Sequence, residues 1–82
     1  MREIVDKVYS QLFEDYKIRG ADFYFKARHI AKYLGLPPGS VGHACQKLYD
    51  EGKLDCWNIR RVNSKTWKTI FSNGGSLQKG EI

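Results

Sequence analysis

Long apolar runs are missing from this 82-residue chain: none approaches the roughly 20 residues needed to cross a bilayer, and the N-terminus has no signal-peptide apolar core. A soluble, cytoplasmic protein is expected. Cysteine is also scarce. Cys45 and Cys56 are too few for a disulfide framework, and their ten intervening residues match no usual zinc spacing. Both read as reduced core residues, since a free cysteine packs as a small hydrophobe. A helix-to-strand disulfide is the alternative, of the kind found inside hyperthermophiles. At 82 residues the chain is short for a second core, so one domain is expected. With 41% hydrophobic and 28% charged residues, that domain should be globular rather than disordered.

Catalytic signatures are missing too. His29 and His43 fall on helix surfaces, with no nucleophile at a recognisable motif spacing and no metal-ligand series. The glycines Gly35, Gly39 and Gly42 have a turn-and-helix explanation, not a P-loop or dinucleotide one. The expectation is therefore no enzyme, no metal, no cofactor and no small-molecule substrate. A binding module is the class that remains.

What the chain does contain is a two-helix pattern over residues 25–54. Ala27, Ile30, Ala31 and Leu34 recur at three- and four-residue spacing, leaving Arg28, His29 and Lys32 on the wet side. Gly35 permits the left-handed conformation that ends a helix, and Pro37 with Pro38 prevents continuation. Pro38 can open the next helix, because a first-turn N–H has no intrahelical partner to lose. There Val41, Ala44, Cys45 and Leu48 form one face, and Gly39, Gly42, His43, Gln46 and Asp50 the opposite one, flanked by Ser40 and Lys47. This is the arrangement of a helix-turn-helix with a recognition helix over residues 38–51.

The run LGLPPGSVGHACQKLYDEGKL resembles the second half of winged-helix DNA-binding domains, over roughly residues 3–71 of the chain. The family pattern is a Leu-Gly-apolar turn, a small-residue helix start, a Val, then a Leu and a Gly before the first wing strand. The Tyr24-Phe25-Lys26-Ala27 entry and the Ser64, Thr66, Trp67 group are similar to those of small uncharacterised archaeal winged-helix proteins. The resemblance implies an α+β winged helix-turn-helix with three helices and a small antiparallel sheet, in the order α1-β1-α2-α3-β2-β3. It also implies a role in transcription regulation.

The remaining segments fit that order. Ile4, Val5, Val8, Tyr9, Leu12, Phe13 and Tyr16 repeat at i, i+4 spacing and predict the strongest helix, ended by Gly20. Its rim residues Tyr9 or Phe13 leave a homodimer seam open. Phe23-Tyr24-Phe25-Lys26 reads as a short strand that joins a hairpin as its third member. Residues 54–59 and 66–71 predict that hairpin, with residues 60–65 as its basic tip. Alternation leaves Trp57 and Ile59 opposite Leu54 and Cys56, so burial under the third strand or the tail is expected for Trp57, exposure being the alternative. The domain is expected over 1–71, with a flexible tail over 72–82.

Charge sharpens the functional expectation. Residues 1–25 carry four cations (Arg2, Lys7, Lys17, Arg19) against five carboxylates. Residues 26–71 carry nine (Lys26, Arg28, Lys32, Lys47, Lys53, Arg60, Arg61, Lys65, Lys68) against three, Asp50, Glu51 and Asp55. A polyanion partner follows, because neutralising phosphates releases condensed counterions. For double-stranded DNA, Arg28, Lys32, Lys47, Arg60, Arg61, Lys65 and Lys68 are expected on the backbone, with Ser40, His43 and Gln46 on base edges. The basic tip would meet the backbone or the minor groove, and the protein would be nucleoid-associated. Gly39 and Gly42 weaken that face as a sequence reader. The rival reading is therefore a protein-interaction module within a larger transcription, replication or ribosomal assembly, with RNA binding third.

Overall fold

The computed structural model describes residues 2–62 and 64–72 of the chain. Its elements run α1 (Arg2–Arg19), β1 (Tyr24–Lys26), α2 (Ala27–Leu34), α3 (Pro38–Asp50), β2 (Leu54–Cys56) and β3 (Thr66–Thr69). The described residues form an α+β fold of three helices and one antiparallel sheet in the spatial order β1-β3-β2. No helix among the described residues is long and apolar enough to cross a membrane.

The i, i+4 periodicity of α1 places Val5, Val8 and Leu12 in the interior at 0% exposure. These pack with Ile30 and Ala31 of α2 and with Val41, Ala44, Cys45 and Leu48 of α3 in one core. Gly20, at φ 78°, ends α1 with its N–H bonded to the Tyr16 carbonyl at 2.7 Å. Lys17 and Arg19 occupy the last turn, where the helix dipole favours cations.

Between α2 and α3 the chain turns as its residues require. Gly35 adopts φ 71°, and the N–H of Leu36 reaches back to the Ala31 carbonyl at 2.9 Å, satisfying a helix-end acceptor. Pro37 holds the extended conformation just before α3, and Pro38 is its first residue. The helix stops at Asp50 with Glu51 as cap, one residue short of the expected end.

In the sheet, β3 is central. Phe25 and Cys56 both sit opposite Trp67, and Leu54 sits opposite Thr69. Their side chains form the inner, buried face. Thr69 is the one buried polar residue among the described residues, and its hydroxyl accepts from the Phe23 N–H at 2.9 Å. The third-strand role expected of Phe23-Lys26 is thus seen at Tyr24–Lys26.

Both hairpin strands are shorter than expected. β2 ends at Cys56 because Asn58 turns the chain, and β3 ends at Thr69 because the backbone becomes helical again at Phe71. Phe71 is buried against α1, 5.5 Å from Tyr9, 5.2 Å from Phe13 and 5.1 Å from Tyr16 between ring centroids. The Ser72 N–H bonds to Asp22 at 3.2 Å. The rest of the expected tail, 73–82, lies outside the described residues.

One expectation is overturned. Trp57 is 73% exposed rather than covered, because it lies on the outer side of the sheet while the helices pack on the inner one, and β1 extends the sheet sideways without lying over it. Ile59, past the turn, packs against the core. Cys45 and Cys56 are free and buried.

Candidate nucleic-acid interface

The 3.6-residue repeat of α3 divides its outer surface into three strips. Val41, Ala44, Cys45 and Leu48 are spent on the core. Gly39, Gly42 and Gln46 then form the strip nearest the β2–β3 connection, while Ser40 and Lys47 lie on the opposite flank. His43 and Asp50 sit exposed on the crest.

The glycine strip is one wall of a groove of about 420 Å³. Opposite it stand Val62, Ser64 and Lys65 of the connection, and its end is formed by Lys26, Ala27 and Arg28 at the start of α2. An added Cβ at Gly39 or Gly42 would meet no atom within 4 Å. Those positions are therefore bare backbone facing open space, although glycine within a helix costs about 1 kcal/mol relative to alanine.

Polar contacts tie the groove together. Lys65 Nζ donates to Gln46 Oε1 at 3.0 Å, and Gln46 Nε2 donates to Asp50 Oδ1 at 3.1 Å. Lys26 Nζ donates to the Ser64 carbonyl at 3.0 Å. Ser64 itself takes φ 62°, a left-handed conformation rare for a residue with a side chain, and its carbonyl is held by both Lys26 and the Asn58 amide. Asn58 also accepts from the Thr66 N–H and from the Cys56 thiol. One side chain thereby closes the connection as an Asx-type turn.

The expected DNA contacts divide accordingly. Arg28, Gln46 and Lys65 line the groove. Lys32 is one helical turn beyond Arg28 on the exposed side of α2, and Arg60 and Arg61 are exposed in the connection, Arg61 donating its N–H to the Asn58 carbonyl at 2.9 Å. Ser40 and Lys47 face away from the groove, and Lys68 sits on the outer side of the sheet, 5.7 Å from the Tyr24 ring. Lys26 and Asn58 join the site only through the fold. Lys26 was legible only as a cation at the β1–α2 junction, and Asn58 as a turn-forming residue directly after a strand.

Charge pairing separates the molecule into two zones. The ion pairs among the described residues are Arg2–Asp6, Arg2–Glu51, Lys17–Glu14 and Lys53–Glu51, at 3.2–3.5 Å. None involves Lys26, Arg28, Lys32, Lys47, Arg60, Arg61, Lys65 or Lys68. Partial burial works to raise the pKa of Glu51, but the Arg2 hydrogen bond and the charges of Arg2 and Lys53 outweigh it and hold the carboxyl below its ordinary value. Burial pushes the Cys45 thiol up to about 12, with nearby Cys56 adding to the effect, so it is a core group and no nucleophile.

Among the described residues no three His, Cys, Asp or Glu side chains converge to hold a metal. The arrangement can do two things chemically: present unpaired cations to phosphates and bring bare helix backbone close to a flat partner. In comparisons with known proteins, the chain matches no family model, no curated protein and no solved structure.

Proposed function

We propose that this chain is a winged helix-turn-helix that binds double-stranded DNA, acting as a small transcriptional regulator. In this reading α3 enters the major groove and the β2–β3 connection is the wing, on the backbone or in the minor groove. The observation that carries it is the glycine strip of α3, with no internal use for its bareness, set between the cations Lys26, Arg28 and Lys65. Glycine at Gly39 and Gly42 lets the helix backbone come closer to base edges than any side chain would allow. Arg28, Lys32, Arg60 and Arg61 hold phosphates, while His43 and Gln46 reach base edges, Gln46 exchanging its Lys65 and Asp50 partners for a base.

A second reading rests on that same Gln46. Its amide is already satisfied on both sides within the chain, as suits a face that docks on protein and reads no bases. Fluorescence anisotropy with random-sequence duplex DNA across a salt series separates the two. Duplex binding should weaken steeply as salt rises, and Arg60→Ala with Arg61→Ala should flatten that slope by about 1 per lost phosphate contact, on all sequences alike. Absence of duplex affinity at low salt would replace the DNA reading with the protein-interaction module.

A further inference from the structure

The sheet has a second side, from which the groove takes only the Lys26 side chain. Strand alternation places Tyr24 of β1 and Lys68 of β3 in one outward row with Asp55 of β2, as the register pairs both Tyr24 and Asp55 with Lys68. The next row holds Lys26 and Thr66, paired in the register, and Trp57, whose N–H continues the ladder by bonding the Thr66 carbonyl at 2.9 Å. Every residue of the opposite, inner face is buried, whereas Tyr24 is 57% and Trp57 73% exposed. Tyr24 on β1 and Trp57 just past β2 thus stand at opposite edges of an open face, with Lys68 of the central strand between them.

We infer that this outer sheet face, through Tyr24, Trp57 and Lys68, is a stacking platform for single-stranded nucleic acid. The face alternates aromatic rings with ammonium groups, which suits a ligand of flat bases joined by phosphates better than an apolar protein surface. Lys68 Nζ lies over one face of the Tyr24 ring, 5.7 Å from its centroid, so a base would stack on the other face with its phosphate in reach of the ammonium. Asp55 is the one carboxylate among the described residues of the face, and its Oδ1 is turned onto the Cys56 N–H at 2.8 Å.

Geometry dictates how the strand crosses. The two aromatics are separated by two interstrand spacings and one two-residue step, about 12 Å in all. Neighbouring bases in a stacked strand are only about 3.4 Å apart along the axis. The bound strand must therefore be extended, its bases stacked on protein rings instead of on each other. Strands that stack weakly on themselves should bind best, with oligothymidylate favoured over oligodeoxyadenylate.

Trp57 reports this directly, since the other tryptophan, Trp67, is buried. Titrating the full chain with oligothymidylate should quench Trp57 emission. Trp57→Ala and Tyr24→Ala, read by anisotropy, should each weaken binding by about tenfold, while Trp57→Phe retains it. Asp55→Asn should tighten binding. Oligouridylate should bind comparably, because the contacts are to base faces and phosphates.

These substitutions should leave duplex affinity unchanged, and Arg60→Ala with Arg61→Ala should weaken duplex binding and flatten its salt slope while oligothymidylate still quenches Trp57. Each surface can then fail without the other. Unchanged Trp57 emission at low salt, equal affinity of the Tyr24→Ala and Trp57→Ala variants with the parent, or a preference for oligodeoxyadenylate would overturn the platform. The altered side chains are exposed, so circular dichroism should show the parent fold in every variant.

Discussion

The two ends of the chain solve the problem of positive charge in opposite ways. Along α1, Arg2 and Lys17 meet carboxylates one turn away, and Arg2 also reaches Glu51 at the end of α3. Around α2 and the β2–β3 connection, Arg28, Lys32, Arg60 and Arg61 face solvent and pair with no carboxylate among the described residues. The first region also carries the fully buried Val5, Val8 and Leu12. Burial and ion pairing thus coincide along α1, whereas the cations of α2 and the connection stand apart from the interior.

That division can be broken by substitution. Leu12→Ala, in the neutralised region, removes a fully buried side chain and should cost about 2–5 kcal/mol in a denaturant titration. Arg60→Ala with Arg61→Ala should leave the unfolding midpoint nearly untouched, within about 0.5 kcal/mol per site. A large loss of stability in the arginine variant would show that the cationic region also holds the fold.

Asn58→Ala tests an intermediate case. It strips the connection of its internal partner and leaves the Thr66 N–H without an acceptor, which should cost about 1–3 kcal/mol. Hydrogen exchange should accelerate at Thr66 while α1 stays protected. Gly42→Ala sharpens the contrast from the other side. An added methyl meets nothing within 4 Å, so helix propensity should raise stability by about 0.5–1 kcal/mol. The same methyl should lower duplex affinity, because it stands where the backbone is to approach the partner.

The smallest effect at neutral pH concerns Cys45. Its folded pKa is raised, from an ordinary 9.0 to about 12, so the native state retains a proton that the unfolded chain releases. The stabilisation is complete below about pH 9 and is lost as pH rises from there towards 12. Cys45→Ala should flatten that alkaline decline, and Cys45 in the native protein should resist thiol reagents until unfolding.

Much of the architecture was legible because it depends on local chemistry. The i, i+4 series of α1, the Gly35-Leu36-Pro37-Pro38 junction and the aromatic strand at Tyr24–Lys26 each announce themselves within a few residues. The site was less legible because it depends on how elements cross. No spacing rule pairs Lys65 with Gln46 across 19 positions, or tells that Lys47 faces away from a groove that Lys26 helps to close. Trp57 was misplaced for a similar reason. Alternation turns it outward, but only the packing of the elements shows that the helices all cover the inner side of the sheet.

The pairing of β1 with β3 has a kinetic consequence. Tyr24 and Phe25 meet Lys68 and Trp67, the Thr69 N–H reaches the Phe23 carbonyl at 3.0 Å, and Phe71 seats on α1. Such distant partners oblige the chain to close a loop of more than forty residues before β1 can join, whereas β2 and β3 pair as a local hairpin. The α2–α3 hairpin forms from near neighbours and arrives first. Closure of the strands comes last, and a ribosome must release the segment through Phe71 before the interior can be sealed.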